Sequence, residues 1–260
     1  MPVTFQIIPT TLLQAYKDSF DSSIKENFEA LQESELTTST FSFYTSVSAV
    51  FSSKIEGEDI ELDSFIKHKR LGAHYQPDYT QKIDDLYGAY QFAAVNKLTP
   101  ATILKAHALL TKNILHTSQQ GKLRKGNMFV ITDDGKIEYV AATPDIAATE
   151  MQKLYSDTEI LLDTELSFAE VLFYAALLHL VFVKIHPFED GNGRTARLLE
   201  KWFIAQKLGA KAWFIQSEKY YYNQHQVYYN NIRKLGLEYP DLDYNKALPF
   251  LQMLPQAIAT

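Results

Sequence analysis

Apolar residues recur at helical spacing in several stretches of this chain, each introduced by a start signal. Thr99-Pro100 supplies a cap and a proline at the first helical position, and Ile103, Leu104, His107 and Leu110 follow at helical spacing. Thr143-Pro144 repeats the signal ahead of Ile146, Met151 and Leu154. Ser167-Phe168-Ala169-Glu170 reads as a capping box before Val171, Leu172, Ala175, Leu178 and Phe182. A further helix contains Arg197, Leu198, Trp202 and Phe203 and stops near Gly209. One segment departs from this period. Met128 to Thr132 and Lys136 to Val140 are β-prone runs joined by Asp133-Asp134-Gly135, which predicts a hairpin. The stretch Thr40 to Phe51, rich in β-branched and aromatic residues, reads equally as helix or strand. The pattern as a whole predicts a mostly α-helical protein with one short β-hairpin. Residues 1–95 read as a separate helical region and residues 96–260 as the main body.

Composition narrows the function. A chain of 260 residues that is 46% hydrophobic has enough apolar material for a sizeable core. It has no cysteine, which excludes disulfides, thiolate metal sites and cysteine nucleophiles and suits a reducing compartment. A formal net charge of −6 argues against broad nucleic-acid binding, which needs clustered cations. The first residues, Met1-Pro2-Val3-Thr4-Phe5, lack the form of a secretory signal. The most apolar run, Phe168 to Val183, is short for a membrane span and carries Glu170 and His179. The expectation is a cytoplasmic protein that engages neither nucleic acid nor membrane.

The densest chemistry lies in His186-Pro187-Phe188-Glu189-Asp190-Gly191-Asn192-Gly193-Arg194-Thr195-Ala196-Arg197. Pro187 ends the preceding helix at or near His186. Two glycines around an asparagine let the backbone turn sharply and aim consecutive N–H groups at one point. A helix follows at once, so its unpaired N–H groups and positive dipole end add to an anion site. Arg194 and Arg197, three apart, share a helix face above that site and suit further phosphates. His186 offers a base near neutral pH, and Asp190 a hard oxygen ligand for magnesium. Together these parts make a phosphoryl or nucleotidyl transfer site, and the missing lysine separates it from the common phosphate loop. The other histidines, His68, His74, His107, His116, His179 and His225, show no comparable setting and read as structural.

This segment resembles the signature of the Fic family, His-x-Phe-x-Asp/Glu-Gly-Asn-Gly-Arg-x-x-Arg, at every specified position. Flanking features from about Leu98 to about Ile232 resemble the family as well, including Gly121-Lys122-Leu123-Arg124 and Tyr228-Tyr229-x-x-Ile232. The resemblance implies a helical Fic fold with the 128–140 hairpin as a flap that aligns a target protein by strand-like pairing. It implies that His186 deprotonates a Ser, Thr or Tyr hydroxyl, which attacks the α-phosphate of ATP. Asp190 would hold Mg2+ against the α- and β-phosphates. Gly191, Asn192 and Gly193 would bind the α/β-phosphate region through backbone N–H groups and the Asn side chain. Arg194 would contact the β-phosphate and Arg197 the γ-phosphate, with Tyr228 and Tyr229 walling the adenine pocket. Ser52-Ser53-Lys54-Ile55-Glu56-Gly57 resembles the family's inhibitory motif, Ser/Thr-x-x-x-Glu-Gly/Asn, placed upstream of the core. Glu56 would then pair with Arg197 and displace the nucleotide's phosphates. Taken without the resemblance, Gly57 is simply a helix C-cap.

The leading expectation is therefore a protein adenylyltransferase restrained by Glu56, with automodification included and the oligomeric state open. Another nucleotide donor, removal of AMP rather than its addition, or a nucleotide-sensing module with negligible turnover are the alternatives. The internal Glu56 makes a separate antitoxin unnecessary.

Overall fold

The computed structural model describes residues 4–131 and 135–259. Its N-terminal part contains α1 (Leu13–Asp18), α2 (Ser23–Ala30), α3 (Phe43–Ile55), α4 (Leu62–Leu71) and α5 (Pro77–Val95). Then come α6 (Pro100–Leu110), the strands β1 (Phe129–Ile131) and β2 (Ile137–Val140), α7 (Pro144–Asp163), α8 (Phe168–Ile185) and α9 (Asn192–Leu208). The chain closes with α10 (Ser217–Asn223), α11 (His225–Arg233), α12 (Leu248–Leu251) and α13 (Met253–Ala259). The protein is mostly helical with one small antiparallel sheet, as the sequence pattern predicts.

The start signals act through the bonds expected of them. Thr99 accepts from the Thr102 N–H while Thr102 reaches back to the Thr99 N–H, and Pro100 takes the first helical position. Ser167 and Glu170 make the same reciprocal pair at α8. Such caps contribute about 1 kcal/mol each. At α7 the picture differs in detail. Thr143 sits at the N-cap but its side chain makes no capping bond, and Ile146 is exposed while Ala147, Met151 and Leu154 are buried. Pro144, not the threonine hydroxyl, starts that helix.

The ambiguous stretch forms α3. Ser42 accepts from the Thr45 N–H at its start, and the helix then buries Val47, Ala49, Val50, Ser48, Ser52 and Ser53 against α5, α9 and α10. Packing on these helices and on α4 overrides the β propensity of its residues. The small serine and alanine side chains let its backbone come close to α9. The helix ends in a Schellman motif. Gly57, at φ +87°, donates to the Lys54 carbonyl, and the Glu58 N–H donates to that of Ser53. Glu56 is the C-cap residue, so its side chain leaves the helix at the point where the backbone turns away.

The centre of the protein is α8, which packs along α9 and buries nearly every residue from Val171 to Ile185. It is long and apolar enough by composition to cross a membrane, yet it lies inside one hydrophobic core that runs from Ile8 to Ile258. The hairpin pairs Phe129 with Val140 and Val130 with Tyr139, then skips Glu138 to pair Ile131 with Ile137. Glu138 is thus a bulge, and its carboxylate turns to Arg233 of α11. Thr132, Asp133 and Asp134 of the expected turn lie outside the described residues.

Candidate active site

The loop from His186 to Gly191 joins the two packed helices α8 and α9. His186 closes α8 at φ +53°, the left-handed value of a non-glycine residue in front of a proline that disfavours the right-handed helix. A conformation of this kind costs on the order of 1–3 kcal/mol and persists only where neighbours enforce it. Arg124 does so. Its Nε donates to the His186 carbonyl at 2.7 Å, its backbone N–H to that of Pro187 at 2.9 Å, and its guanidinium also reaches the Gly126 and Ala142 carbonyls.

The far end of the loop is fixed by His107. Its ring stacks on Phe188 with centroids 3.6 Å apart. Nδ1 accepts from the Gly121 N–H at 2.9 Å, so Nε2 carries the hydrogen and donates to the Asp190 carbonyl at 2.9 Å. Burial pushes its pKa down to about 4, which keeps this neutral tautomer in place. His107 reads as structural from sequence, and it is structural here in a specific sense: it holds the turn that leads into α9. Nothing local in the sequence marks it, because its partner lies 83 residues away. Gly191 shows why the turn is so tight. It takes φ +79°, and a Cβ there would meet Thr111 at 2.7 Å.

At the base position, the Nδ1 of His186 faces the Val183 carbonyl at 3.2 Å. A carbonyl only accepts, so Nδ1 carries the hydrogen and Nε2 is left with its lone pair. Burial pushes this imidazole down to about 4, with Arg124 adding to the effect against the carbonyl of Val183 and the carboxylates of Glu56 and Asp190. It is a neutral base throughout the physiological range.

Helix α9 begins at Asn192 with Gly191 as N-cap, and no side chain caps it. The N–H groups of Asn192, Gly193 and Arg194 therefore have no partner within the helix and converge on one end. Gly193 is already helical; its lack of a side chain serves a close approach rather than a turn. A Cβ there would stand 2.5 Å from the Glu56 Oε1. Asn192 departs from expectation. Its side chain accepts from the Phe188 N–H at 2.9 Å and donates to the Phe188 carbonyl at 2.8 Å, so it braces the loop from inside. The backbone, not the Asn carboxamide, faces the anion site.

The two arginines, three residues apart, have different partners. Arg194 Nη2 donates to Asp190 Oδ1 at 2.9 Å, and its buried Nε finds no hydrogen-bond partner among the described residues. Arg197 has four of its five N–H donors engaged: Nε donates to Ser52 Oγ at 2.8 Å, Nη2 to the Ser52 carbonyl at 3.0 Å and to Glu56 Oε1 at 2.6 Å, and Nη1 to the Tyr228 hydroxyl at 3.3 Å. Residues 141 positions apart are thus in direct contact. Burial raises the Glu56 pKa, but the guanidinium groups of Arg197 and Arg194 outweigh it and hold the carboxyl below its usual range.

A cavity opens beside this cluster, lined by Glu56, His186, Gly193, Arg197, Tyr229 and the flap residue Val130. Tyr229 is half-buried there, its hydroxyl donating to the Ile55 carbonyl at 3.4 Å. Tyr228 also borders the cavity, but it is 1% exposed and its hydroxyl is engaged inside the protein. Asp190 has a side chain 48% exposed and stands alone as a carboxylate at the motif's metal position. No group of three or more His, Cys, Asp or Glu side chains able to hold a metal occurs among the described residues.

Comparison with known proteins agrees with this geometry. Residues 97–204 match the family described as Fic/DOC. Over 89 residues the chain is 37% identical to the protein adenylyltransferase Fic of Nematostella vectensis, a match that covers 32% of this chain and 18% of that protein. A Fic family protein from Desulfovibrio desulfuricans G20 superposes with a TM-score of 0.70 at 21% identity, covering 99% of this chain and 73% of its own. Fic-1 from C. elegans gives 0.66 at 18% identity, covering 95% and 69%. At these identities the structural likeness shows the fold. Residues 97–204 form a Fic/DOC family domain.

Proposed function

We infer that this Fic/DOC domain transfers AMP from ATP to a hydroxyl of a protein, and that Glu56 restrains it. The observation that carries the reading is the meeting, at one cavity, of a neutral histidine, the uncapped start of α9 at Gly193 and the guanidinium of Arg197, with Arg194 next to Gly193 in the chain and bonded to Asp190. A target Ser, Thr or Tyr hydroxyl gives its proton to His186 Nε2 as its oxygen bonds to the α-phosphorus. The bond from that phosphorus to the bridging oxygen of the β-phosphate breaks, and pyrophosphate leaves. The N–H groups of Asn192, Gly193 and Arg194 take the negative charge of the phosphates, and Arg194 and Arg197 hold the outer ones. The donor set fits Mg2+ in the way that ion usually binds, through one carboxylate with phosphate oxygens and water. Asp190 would hold it, and its charge would offset that of the phosphates. The flap, with Phe129, Ile131 and Ile137 exposed, offers strand edges to an extended target segment. The match to a named adenylyltransferase supports ATP as donor.

Restraint follows from the occupied Nε/Nη2 edge of Arg197. Glu56 holds the Nη2 that a terminal phosphate needs and lays a second negative charge over Gly193. A bias of about 3 kcal/mol toward that pairing leaves roughly 1% of the protein competent. The same occupied edge favours one other reading, a module that binds nucleotide with negligible turnover. Radiolabelled ATP added to the wild-type protein, Glu56→Gly, and Glu56→Gly combined with His186→Ala or Arg197→Ala separates the two. AMP transfer requires label on protein that rises at least ~10-fold in Glu56→Gly, is reversed by Arg197→Ala, and falls 10²–10⁴-fold with His186→Ala. Nucleotide bound but never transferred, with Glu56 absent, rejects transfer and leaves the sensing module.

A further inference from the structure

The Nη1 side of Arg197 leads into a buried chain that the transfer chemistry does not use. Tyr228 accepts from it at 3.3 Å, and the same hydroxyl meets His179 Nε2 at 2.9 Å. His179 Nδ1 meets Glu200 Oε2 at 2.8 Å, and Tyr221 donates to both Glu200 oxygens at 3.0 Å. The directions are set by what each group can do. A carboxylate accepts, so Nδ1 carries the hydrogen toward Glu200, and in the neutral imidazole Nε2 accepts from the Tyr228 O–H. The Tyr228 oxygen is then left with lone pairs only, and Arg197 takes one of them. His179, Glu200 and Tyr221 are fully buried, and Tyr228 and Arg197 are 1% exposed.

The origin of each contact matters. Ser52 and Glu56, which hold Nε and Nη2, come from the end of α3. Tyr228, His179 and Glu200 come from α11, α8 and α9. Withdrawal of the α3 end therefore frees one edge of the guanidinium and leaves the other tied. We propose that Tyr228, fixed through His179 on Glu200, is a positioning residue that keeps Arg197 aimed into the cavity once Glu56 has left, so that its Nε/Nη2 edge meets the terminal phosphate ready-made. This rests on the reading that Arg197 receives that phosphate. Tyr228 acts on Arg197 and not as a wall against the nucleotide base.

The test compares ATP with ADP, which lacks the terminal phosphate. In the Glu56→Gly protein, Tyr228→Phe should weaken ATP binding by about 10- to 100-fold in calorimetric titration, the worth of one hydrogen bond to a charged group. ADP binding should stay within about 2-fold, and so serves as the measure of folded protein. Adding Tyr228→Phe to Glu56→Gly/Arg197→Ala should change neither nucleotide further. Where Tyr228→Phe does not fold, His179→Gln frees the same hydroxyl and should give the same ATP-selective loss. Equal losses for ATP and ADP, or no loss, overturn the proposal, the first pointing to a base-pocket or packing role. Should Glu56→Gly bind neither nucleotide, the transfer reading fails, and crystal structures of Glu56→Gly with and without Tyr228→Phe decide this one. Arg197 must remain on Tyr228 in the first and leave the cavity in the second; a guanidinium already swung away in Glu56→Gly overturns it.

Discussion

Helix α9 carries two cations one turn apart, and each meets a carboxylate together with a serine of α3. Lys201 donates to Ser48 Oγ, the Ile215 carbonyl and Glu218 Oε2, each at 2.6 Å. Glu218 also accepts from Ser48 at 3.1 Å and from Tyr90 at 2.7 Å. Every donor of the ammonium is used, and the two side chains are 1% and 0% exposed. The pair of Arg197 with Glu56 is as short, at 2.6 Å, but the carboxylate is 25% exposed and borders the cavity. Ser48, Ser52 and Glu56 follow one another at intervals of four along α3, facing Lys201 and then Arg197. The same helix contact is thus closed at one end and open at the other. A closed pair has no way to exchange its partner for a ligand, whereas an open one beside a helix N-terminus does.

The comparison breaks most severely if the closed pair is cut. Lys201→Met leaves the buried Glu218 carboxyl without its cation, a change that costs about 3–5 kcal/mol. Glu56→Gly leaves Arg197 its bonds to Ser52 and Tyr228 beside a cavity, so its loss should be smaller, at about 1–3 kcal/mol. Chemical denaturation of the two variants measures both. Comparable losses would mean that the two ends of α3 are not different in kind. A partial recovery on adding Glu218→Gln to Lys201→Met would show that the unpaired charge, rather than lost packing, is the source of the first effect.

Acid offers a second separation. His107 and His186 both have pKa values pushed down to about 4 by burial, below the ordinary 6.5. The unfolded chain therefore takes up protons that the folded protein refuses, and stability is lost as pH falls from 6.5 towards 4. Glu56 and Glu218 have lowered values, so their contribution is present above the ordinary carboxyl range and is lost only as pH falls below it. Between pH 7 and 5 the loss belongs to the histidines, at up to about 1.4 kcal/mol per proton per pH unit. Thermal melts across that range should fall less steeply for His107→Asn than for the wild type. Over pH 6–8 the transfer rate of Glu56→Gly should show no base limb near 6.5, because His186 is already neutral. An inflection there would place the base elsewhere or the imidazole in a wetter setting.

The readable and unreadable parts divide along sequence distance. The loop His186 to Arg197 carries its turn, helix start, imidazole and arginines in one run, so its local structure and its candidate chemistry are legible from the order of its residues alone. The caps at Thr99 and Ser167 are equally local. What composition and spacing leave open is settled by partners far along the chain. Helix α3, ambiguous by propensity, is settled as a helix by the packing of α4, α5, α9 and α10 against it. Arg124 and His107 hold the loop from 62 and 83 residues away. The side chain of Asn192 turns inward because the Phe188 backbone offers it both a donor and an acceptor. Glu218 and Lys201 look like an ordinary acidic and basic residue until folding encloses them.

The smallest effect is the sharpest test, because it uses one substitution at two positions a single turn apart. Ser48→Ala and Ser52→Ala each remove one hydroxyl from the buried face of α3. Ser48 donates to Glu218 and accepts from Lys201, so its loss weakens the closed end, by about 1–2 kcal/mol if no water replaces it. It touches nothing at the cavity, and the transfer rate per folded molecule should stay within about 2-fold of wild type, a shift of less than ~0.5 kcal/mol. Ser52 accepts from Arg197 Nε, one of the contacts that tether the guanidinium to α3. Its loss should cost a similar ~1 kcal/mol of stability, yet it should also loosen the hold of α3 on Arg197 and raise transfer by about 3- to 5-fold. That gain should be absent in a Glu56→Gly background, where the restraint is already gone, and absent again when Arg197 is alanine. Denaturation curves and labelled-ATP transfer on the same preparations give both readouts. Activation by Ser48→Ala equal to that by Ser52→Ala would show that general loosening of α3 relieves the restraint, and the division of the α3–α9 contact into a closed and an open end would fall.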